Sequence, residues 1–419
     1  AYGADAVYAG QPRYSLRVRN NDFLENNLAK GIEEAHQLGK KFFLATNVIP
    51  HNSKVKTFIK DIQPIIEMKP DALIMADPGL IMMVREAWPE MPVHLSVQAN
   101  TVNYASVKFW QNAGIERIIL SRELSLDEIE EIRQQCPDME LEVFVHGALC
   151  IAYSGRCLLS GYFNHRDPNQ GACTNSCRWK YDTLPAHENA EGDFVQDAGA
   201  LSMNDLNTAS CGGAERHPLA DNVYFLQEEG RPGELMPVME DEHGTYIMNS
   251  KDLRAIEHVQ KLVEIGVDSL KIEGRTKSHY YVARTAQTYR QAIDDALVGR
   301  EFRPELIGVL ENLANRGYTD GFYQRHHTHE YQNYITGYSK SHQQQFCGEI
   351  RNYDPATGLA EINVKNKFAV GDKVEVILPE GNRDITVEHM EDLYGHAMQE
   401  ASGGGYEVKI PIPAVNLSL

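Results

Sequence analysis

The amino-acid sequence predicts a parallel α/β barrel of the TIM type followed by a small antiparallel β-barrel. Two observations predict the first part. Short apolar runs alternate with amphipathic helical stretches, and helix tails repeatedly end in glycine just before the next apolar run. The second part follows from a change of pattern at about Gln345, where short alternating strands separated by turn residues begin. Alternating strand and helix builds a parallel sheet. Period-two alternation with frequent turns builds a small antiparallel barrel.

The glycine phrases are Tyr2-Gly3-Ala-Asp-Ala-Val-Tyr, Leu38-Gly39-Lys-Lys-Phe-Phe-Leu, Ala113-Gly114-Ile-Glu-Arg-Ile-Ile-Leu and Ile265-Gly266-Val-Asp-Ser-Leu-Lys-Ile. Each puts glycine where a left-handed cap lets the chain leave a helix and enter the sheet. Strands are expected over 5–9, 41–46, 72–76, 92–98, 117–121, 141–146 and 268–273, largely apolar as strands buried in parallel sheets are. Helices lie between them, such as 23–38, where Phe23, Leu24, Leu28, Ile32, Ala35 and Leu38 share one face. The first strand already follows a helix tail at Ala1 and Tyr2, so the expectation is a (β/α)8 barrel that lacks its first βα unit in this chain. A doubly wound open sheet is the alternative, although no glycine-rich fingerprint follows the first strand.

This assigns residues 1–300 to the barrel, 301–345 to a helical and irregular connector, and 346–419 to the small β-barrel. Between about 161 and 246 the regular pattern fails and Asn, Gly, Asp, Glu and Pro dominate, which marks an insertion into the barrel. With 419 residues, 42% of them hydrophobic, there is ample material for one large and one small core. The net charge of -19 argues against a general nucleic-acid binder, so any RNA contact must be local. No apolar run approaches the roughly 18 residues of a membrane helix, and there is no basic-then-apolar leader. The expected location is the cytoplasm, with no membrane partner.

Cys150, Cys157, Cys173 and Cys177 fall within the stretch from Glu140 to Lys180, while the others are scattered, Cys211 reading as a free thiol and Cys136 and Cys347 as structural. Such a cluster in a cytosolic chain points to metal rather than disulfides. Structural zinc usually takes tightly spaced pairs, and only Cys173 and Cys177 are that close. The wider gap from Cys150 to Cys157, with Gly155 inside it, suits a 4Fe-4S cluster better. Zinc on four thiolates and buried free thiols remain the alternatives. Arg156, Arg166, Arg178 and Lys180 add positive charge beside the thiols.

In a TIM-type barrel the chemistry sits at the carboxyl ends of the strands. That rim reads Gln11, Arg13, Thr46, Asn47, Asp77, Gln98, Asn100, Arg122, Glu123, His146, Glu273 and Arg275. A rim polar on every strand predicts a pocket for a small, charged, hydroxylated molecule. Arg13, Arg17, Arg122 and Arg275 are the residues able to grip a carboxylate with two hydrogen bonds, and Asn47 and Gln98 are further polar contacts. For each arginine the competing reading is a salt bridge to a neighbouring acid such as Glu123 or Glu273. His146 reads equally as a proton carrier, a hydrogen-bond partner or a packed rim histidine. Glu142, four residues earlier in the strand, is expected on the same face and in position to orient the imidazole.

The run Glu142-x-Phe144-x-His146-Gly147-Ala148-Leu149-Cys150, followed by Tyr153-Ser154-Gly155-x-Cys157, resembles the signature of the collagenase-like U32 peptidase family. The continuation GACTNSCRWKY, the phrase MNSKDLR at 248–254 and KIEGR at 271–275 are similar to those of its tRNA-modifying bacterial members. The likeness runs nearly end to end. It implies a TIM-type barrel, a cysteine-bound iron-sulfur cluster, iron-sulfur assembly machinery as a partner, and prephenate-dependent hydroxylation of a wobble uridine in the tRNA anticodon loop. From the reading of the rim and of the strand that ends at His146, the candidate catalytic residues are His146, Glu142, Arg122, Glu273 and Arg275. Arg13, Arg17, Asn47, Gln98, Arg156, Arg166 and Arg178 are the candidate substrate contacts. The other reading is a collagenase-like peptidase. It finds neither an HExxH zinc site nor a G-x-S-x-G elbow, and would need Cys150 and His146 as a metal-free dyad.

Overall fold

The structure is a computed structural model. It describes residues 2–16, 25–149 and 251–413 apart from 275–276, 314, 316, 325–344 and 380, together with short strands between 186 and 245. Strands β1 (Ala6–Gly10), β2 (Lys41–Thr46), β3 (Ala72–Met75), β4 (Val93–Leu95), β5 (Arg117–Ile119) and β6 (Glu140–Ala148) follow one another in the sheet in chain order. All five neighbouring pairs are parallel. Leu44, Leu73, Val93, Leu95, Ile118, Leu141 and Val145 are fully enclosed, as expected for strands covered on both faces.

Helices α1 (Glu25–Gln37), α2 (Asn52–Val55), α3 (Phe58–Glu67), α4 (Pro78–Ala87), α5 (Tyr104–Asn112) and α6 (Leu126–Gln135) run between the strands. Their starts are fixed by local chemistry. The Asp77 carboxylate accepts from the Leu80 N–H, Asn103 accepts from Ser106, and Ser125 with Glu128 closes a capping box. Each such cap contributes about 1 kcal/mol and places a helix start at the carboxyl end of a strand. Asp77, expected on the rim, is thus taken up in capping a helix.

Two strands beyond the expected set join the sheet, among strands numbered after the short β7 to β12 (Ala186–Glu188, Phe194–Gln196, Tyr224–Gln227, Leu235–Val238, Glu240–Asp241, Gly244–Thr245) of the insertion. Strand β13 (Asp252–Arg254) lies antiparallel to the carboxyl end of β6, and β15 (Tyr318–Thr319) lies parallel to β13. Strand β14 (Ser269–Ile272) is the expected last parallel strand and pairs with the first part of β6. The helix His279–Leu297 then carries the chain back to β1. Its Arg290 donates to the Gly3 carbonyl at 3.0 Å and pairs with Asp5. Inside, the Lys271 ammonium on β14 sits 4.2 Å from the Tyr8 ring centre on β1. No ladder joins β1 to β14 among the described residues, yet these contacts bring the two edges round toward one another. The architecture is a TIM-type α/β barrel.

The carboxyl-terminal part has its own core of Ala360, Ile362, Val364, Phe368, Val387, Met390, Val408 and Ile410. Strands β16 (Gly348–Asp354), β17 (Leu359–Val364) and β23 (Glu407–Pro411) form antiparallel ladders, with shorter pairs around them. It docks on the helix His279–Leu297 through the Arg284–Glu375 ion pair at 2.9 Å and the stacked rings of Tyr280 and Phe346, 5.2 Å apart.

Candidate active site

The barrel interior carries a charged network near the amino ends of the strands. Glu142 of β6, 3% exposed, accepts from Lys271 at 2.6 Å, from Ser269 at 2.9 Å and from Arg117 at 3.2 Å. Burial pushes this carboxyl up, but Lys271 and Arg117 outweigh burial and hold it below the ordinary carboxylate range. His94 lies beside the network and is held neutral, its pKa lowered to about 3 by burial and then by Arg117. The network fills the lumen with paired charge and fixes β4, β5, β6 and β14 against one another.

His146 does not belong to that network. The pairing of β6 with β14 shifts register between Lys271, opposite Phe144, and Ile272, opposite His146, so Val145 is passed over. A bulge of this kind reverses the alternation of faces. The His146 ring therefore packs between Tyr281, Tyr289 and Tyr318, with ring centres 5.7, 5.5 and 5.4 Å away. This corrects the expectation that Glu142 orients the imidazole: the carboxylate is taken by Lys271, Ser269 and Arg117, and the imidazole partner is Tyr289.

The Tyr289 network also fixes the tautomer. The Tyr289 hydroxyl donates to the Val145 carbonyl at 2.7 Å and accepts from the Ala255 N–H at 3.2 Å. His146 Nδ1, 3.3 Å from the same oxygen, is then the donor, which leaves Nε2 as a bare acceptor with no partner among the described residues. Burial, then Lys277 and Arg254, lower the His146 pKa to about 3, so the ring is neutral at physiological pH. Asp252, wholly enclosed on β13, pairs with Lys277 at 3.2 Å. Burial is also the main cause that raises Tyr281, Tyr318 and Tyr289 above the usual phenol range. A neutral imidazole with a bare acceptor nitrogen is thus packed where β6 ends.

At the mouth, Arg122 and Glu273 meet at 2.7 Å, and both side chains are largely enclosed. The Arg122 guanidinium lies over the Phe144 ring at 3.8 Å from its centre. Gly147, with φ +118°, lets β6 approach so closely that an added Cβ would stand 2.5 Å from the Glu273 carbonyl oxygen. The salt-bridge reading thus holds for Arg122. It holds also for Arg13, which pairs at 2.7 Å with Asp61 of α3 and is half exposed, so it is directed to the outer side of the rim and not into the mouth.

Other rim residues are engaged in bracing. Asn47 accepts from the Leu16 N–H and donates to Ser96, so its amide ties the loops after β1, β2 and β4 together in place of standing free for a ligand. Gln11 accepts from the N–H groups of Arg13 and Tyr14. Asn100 sits at φ 53° and accepts from Ser121. Gln98 lies on the short 3-10 turn Val97–Ala99 that follows β4, partly exposed. Sequence reasoning missed Lys271, Asp252 and Lys277, although the period of two in Lys271-Ile272-Glu273 puts both charged residues on one strand face.

Cys150, Cys157, Cys173 and Cys177 lie outside the described residues, as do Arg17, Arg156, Arg166, Arg178 and Arg275. Among the described residues no group of His, Cys, Asp and Glu is arranged to hold a metal ion, and no helix is long and apolar enough to cross a membrane.

Residues 1–333 match Peptidase family U32, and residues 342–418 match the Peptidase family U32 C-terminal domain. The chain is 61% identical to the tRNA hydroxylation protein P of Escherichia coli over 413 residues, covering 99% of this chain and 90% of that protein. It is 58% identical to the tRNA hydroxylation protein P of Haemophilus influenzae, covering 100% of this chain and 91% of that protein. To the tRNA hydroxylation protein P1 of Bacillus subtilis it is 34% identical, over 96% of this chain and 85% of the other. The barrel and the small carboxyl-terminal unit each match in turn, and this chain belongs to Peptidase family U32.

Proposed function

We propose that this protein is a cytoplasmic tRNA-modifying enzyme that hydroxylates the wobble uridine to 5-hydroxyuridine, with prephenate as co-substrate. The observation that carries the reading is the 61% identity, across 99% of the chain, with a protein named for tRNA hydroxylation. In this reading Cys150, Cys157, Cys173 and Cys177 hold a 4Fe-4S cluster, which would supply electron transfer or an open iron site. Zinc on the same thiolates is the competing occupant.

The described residues support the reading at the mouth. Arg122 is pre-oriented by Phe144 and paired with Glu273. A small carboxylate entering the mouth would meet the Arg122 guanidinium, which Phe144 already holds in place for a grip through two hydrogen bonds. Arg275 follows Glu273 in sequence and would hold the second carboxylate of a dicarboxylate. Gln98 would contact the co-substrate from the facing loop. The anticodon loop offers unpaired bases that can be drawn into such a mouth, with Arg156, Arg166 and Arg178 on the RNA backbone. His146, neutral and enclosed by tyrosines, acts as a positioning residue for the end of β6. That enclosure also weighs against a Cys150/His146 peptidase dyad.

The test is an anaerobic preparation incubated with unmodified tRNA and prephenate. The expected result is a brown protein with iron and sulfide in cluster proportion that forms 5-hydroxyuridine, and an Arg122→Gln variant that keeps the colour but loses at least about 100-fold in activity. A colourless protein that cleaves collagen would overturn the reading.

A further inference from the structure

The loops after β1 and β2 carry an unusual charge balance for so acidic a chain. From Thr46 to Ile66 the cations are Lys54, Lys56 and Lys60 and the sole acid is Asp61, whereas the whole chain has 59 acids against 40 lysines and arginines. Arg13, from the loop after β1, joins them: its guanidinium pairs with Asp61 at 2.7 Å. Asp61 is further held by the hydroxyls of Tyr14 and Thr57, each at 2.7 Å. One carboxylate thus stands among Arg13, Lys54, Lys56 and Lys60, which leaves a local excess of positive charge on the carboxyl side of the barrel.

The platform beneath these cations is rigid. The Val48 N–H donates to the Tyr14 carbonyl at 3.0 Å and the Lys54 ammonium to the Arg13 carbonyl at 3.3 Å. Asn47 links the same loops to Ser96 beside the mouth. Tyr14 and Phe58, both wholly enclosed, pack edge to face under the surface with ring centres 5.1 Å apart. Lys56 and Lys60 stand exposed above it. Lysines spread along a surface act as separate point charges, which suits successive backbone phosphates better than one small carboxylate.

We infer that the surface of Arg13, Lys54, Lys56 and Lys60 is a phosphate-binding platform that seats the RNA backbone beside the barrel mouth while a base enters it. This rests on the reading of the protein as a tRNA-modifying enzyme, and it adds a contact surface on the opposite stretch of the chain from Arg156, Arg166 and Arg178. The local excess answers how a chain with a net charge of -19 can hold a polyanion.

The test measures binding of an unmodified tRNA transcript to the full chain across a salt series. It compares wild type, Lys56→Glu/Lys60→Glu, and Lys30→Glu/Lys69→Glu, which alters net charge equally away from that rim. The inference predicts at least a 10-fold loss of affinity in the first variant, a slope of log affinity against log salt shallower by about one to two, and much smaller changes in the second. A neutral Lys56→Gln/Lys60→Gln variant should fall between, and unchanged melting temperatures confirm folding. Equal affinities and slopes for wild type and Lys56→Glu/Lys60→Glu would overturn the platform alone. A wild type that binds no tRNA would overturn the tRNA reading, and the platform with it.

Discussion

Substituting Gly147 by alanine probes the contact that joins β6 to the end of β14. Gly147 has φ +118°, outside even the small left-handed region open to other residues, and a Cβ there would lie 2.5 Å from the Glu273 carbonyl oxygen and 2.8 Å from the Glu273 Cβ. The conformation alone costs about 1–3 kcal/mol, and the overlap meets main chain, which cannot rotate away, at a further cost of about 1–3 kcal/mol. Gly39→Ala is the matched control, since Gly39 has φ +67° and nothing within 4 Å of the added atom. Its cost should be about 1–2 kcal/mol. Urea unfolding of both variants, read from midpoint and slope, should place Gly147→Ala about 2.5 kcal/mol below Gly39→Ala, the difference between the middle values of those costs. The same substitution should lower tRNA hydroxylation, because it moves Glu273 away from Arg122. Equal stabilities for the two variants would refute the close approach.

Further outcomes follow from the enclosed charges. Glu142→Gln should destabilise by about 3–5 kcal/mol, because it leaves Lys271 and Arg117 enclosed beside a neutral amide. Glu142→Leu/Lys271→Met should cost markedly less than the sum of its single changes in a urea double-mutant cycle. His94 and His146 each have a folded pKa of about 3, below the ordinary 6.5, so the unfolded chain takes up the extra protons. Their stabilising contribution is complete above pH 6.5 and is lost as pH falls toward 3. Stability should therefore fall between pH 6.5 and 5 with a limiting slope of about 1.4 kcal/mol per unit for each histidine, and His94→Gln should flatten it. Arg13→Gln should weaken binding of a tRNA transcript in a titration at low salt, as Arg13 pairs on the outer side of the rim with the lysines around it.

The barrel was legible in the sequence because its signals are local. Runs such as Lys41–Thr46 and Ala72–Met75 are apolar and flanked by capping residues, and both became strands with those bounds or nearly so. Strands β13 and β15 were not legible. They span Asp252–Arg254 and Tyr318–Thr319, too short and polar for a periodic signal, and only tertiary pairing, of β13 with β6 and of β15 with β13, makes them strands. At the site, the competition between ligand grip and ion pair for the rim arginines could be read, with Glu123 and Glu273 as the candidate acids, and Glu273 is the one that pairs with Arg122. The direction of His146 could not. A period of two carried from Glu142 puts both residues on one face, and the bulge at Val145 is set by β14, whose approach depends on Gly147. The outward turn of Arg13 depends likewise on Asp61 of a helix distant in sequence.

The most direct measurement is nucleoside mass spectrometry of tRNA from cells in which this chain is the sole tRNA-hydroxylating protein, compared with the same cells without it. The account predicts 5-hydroxyuridine when the chain is present, none when it is absent, and none when Cys173 and Cys177 are both replaced by serine in a protein that still folds. 5-Hydroxyuridine at equal levels with and without the chain would contradict it.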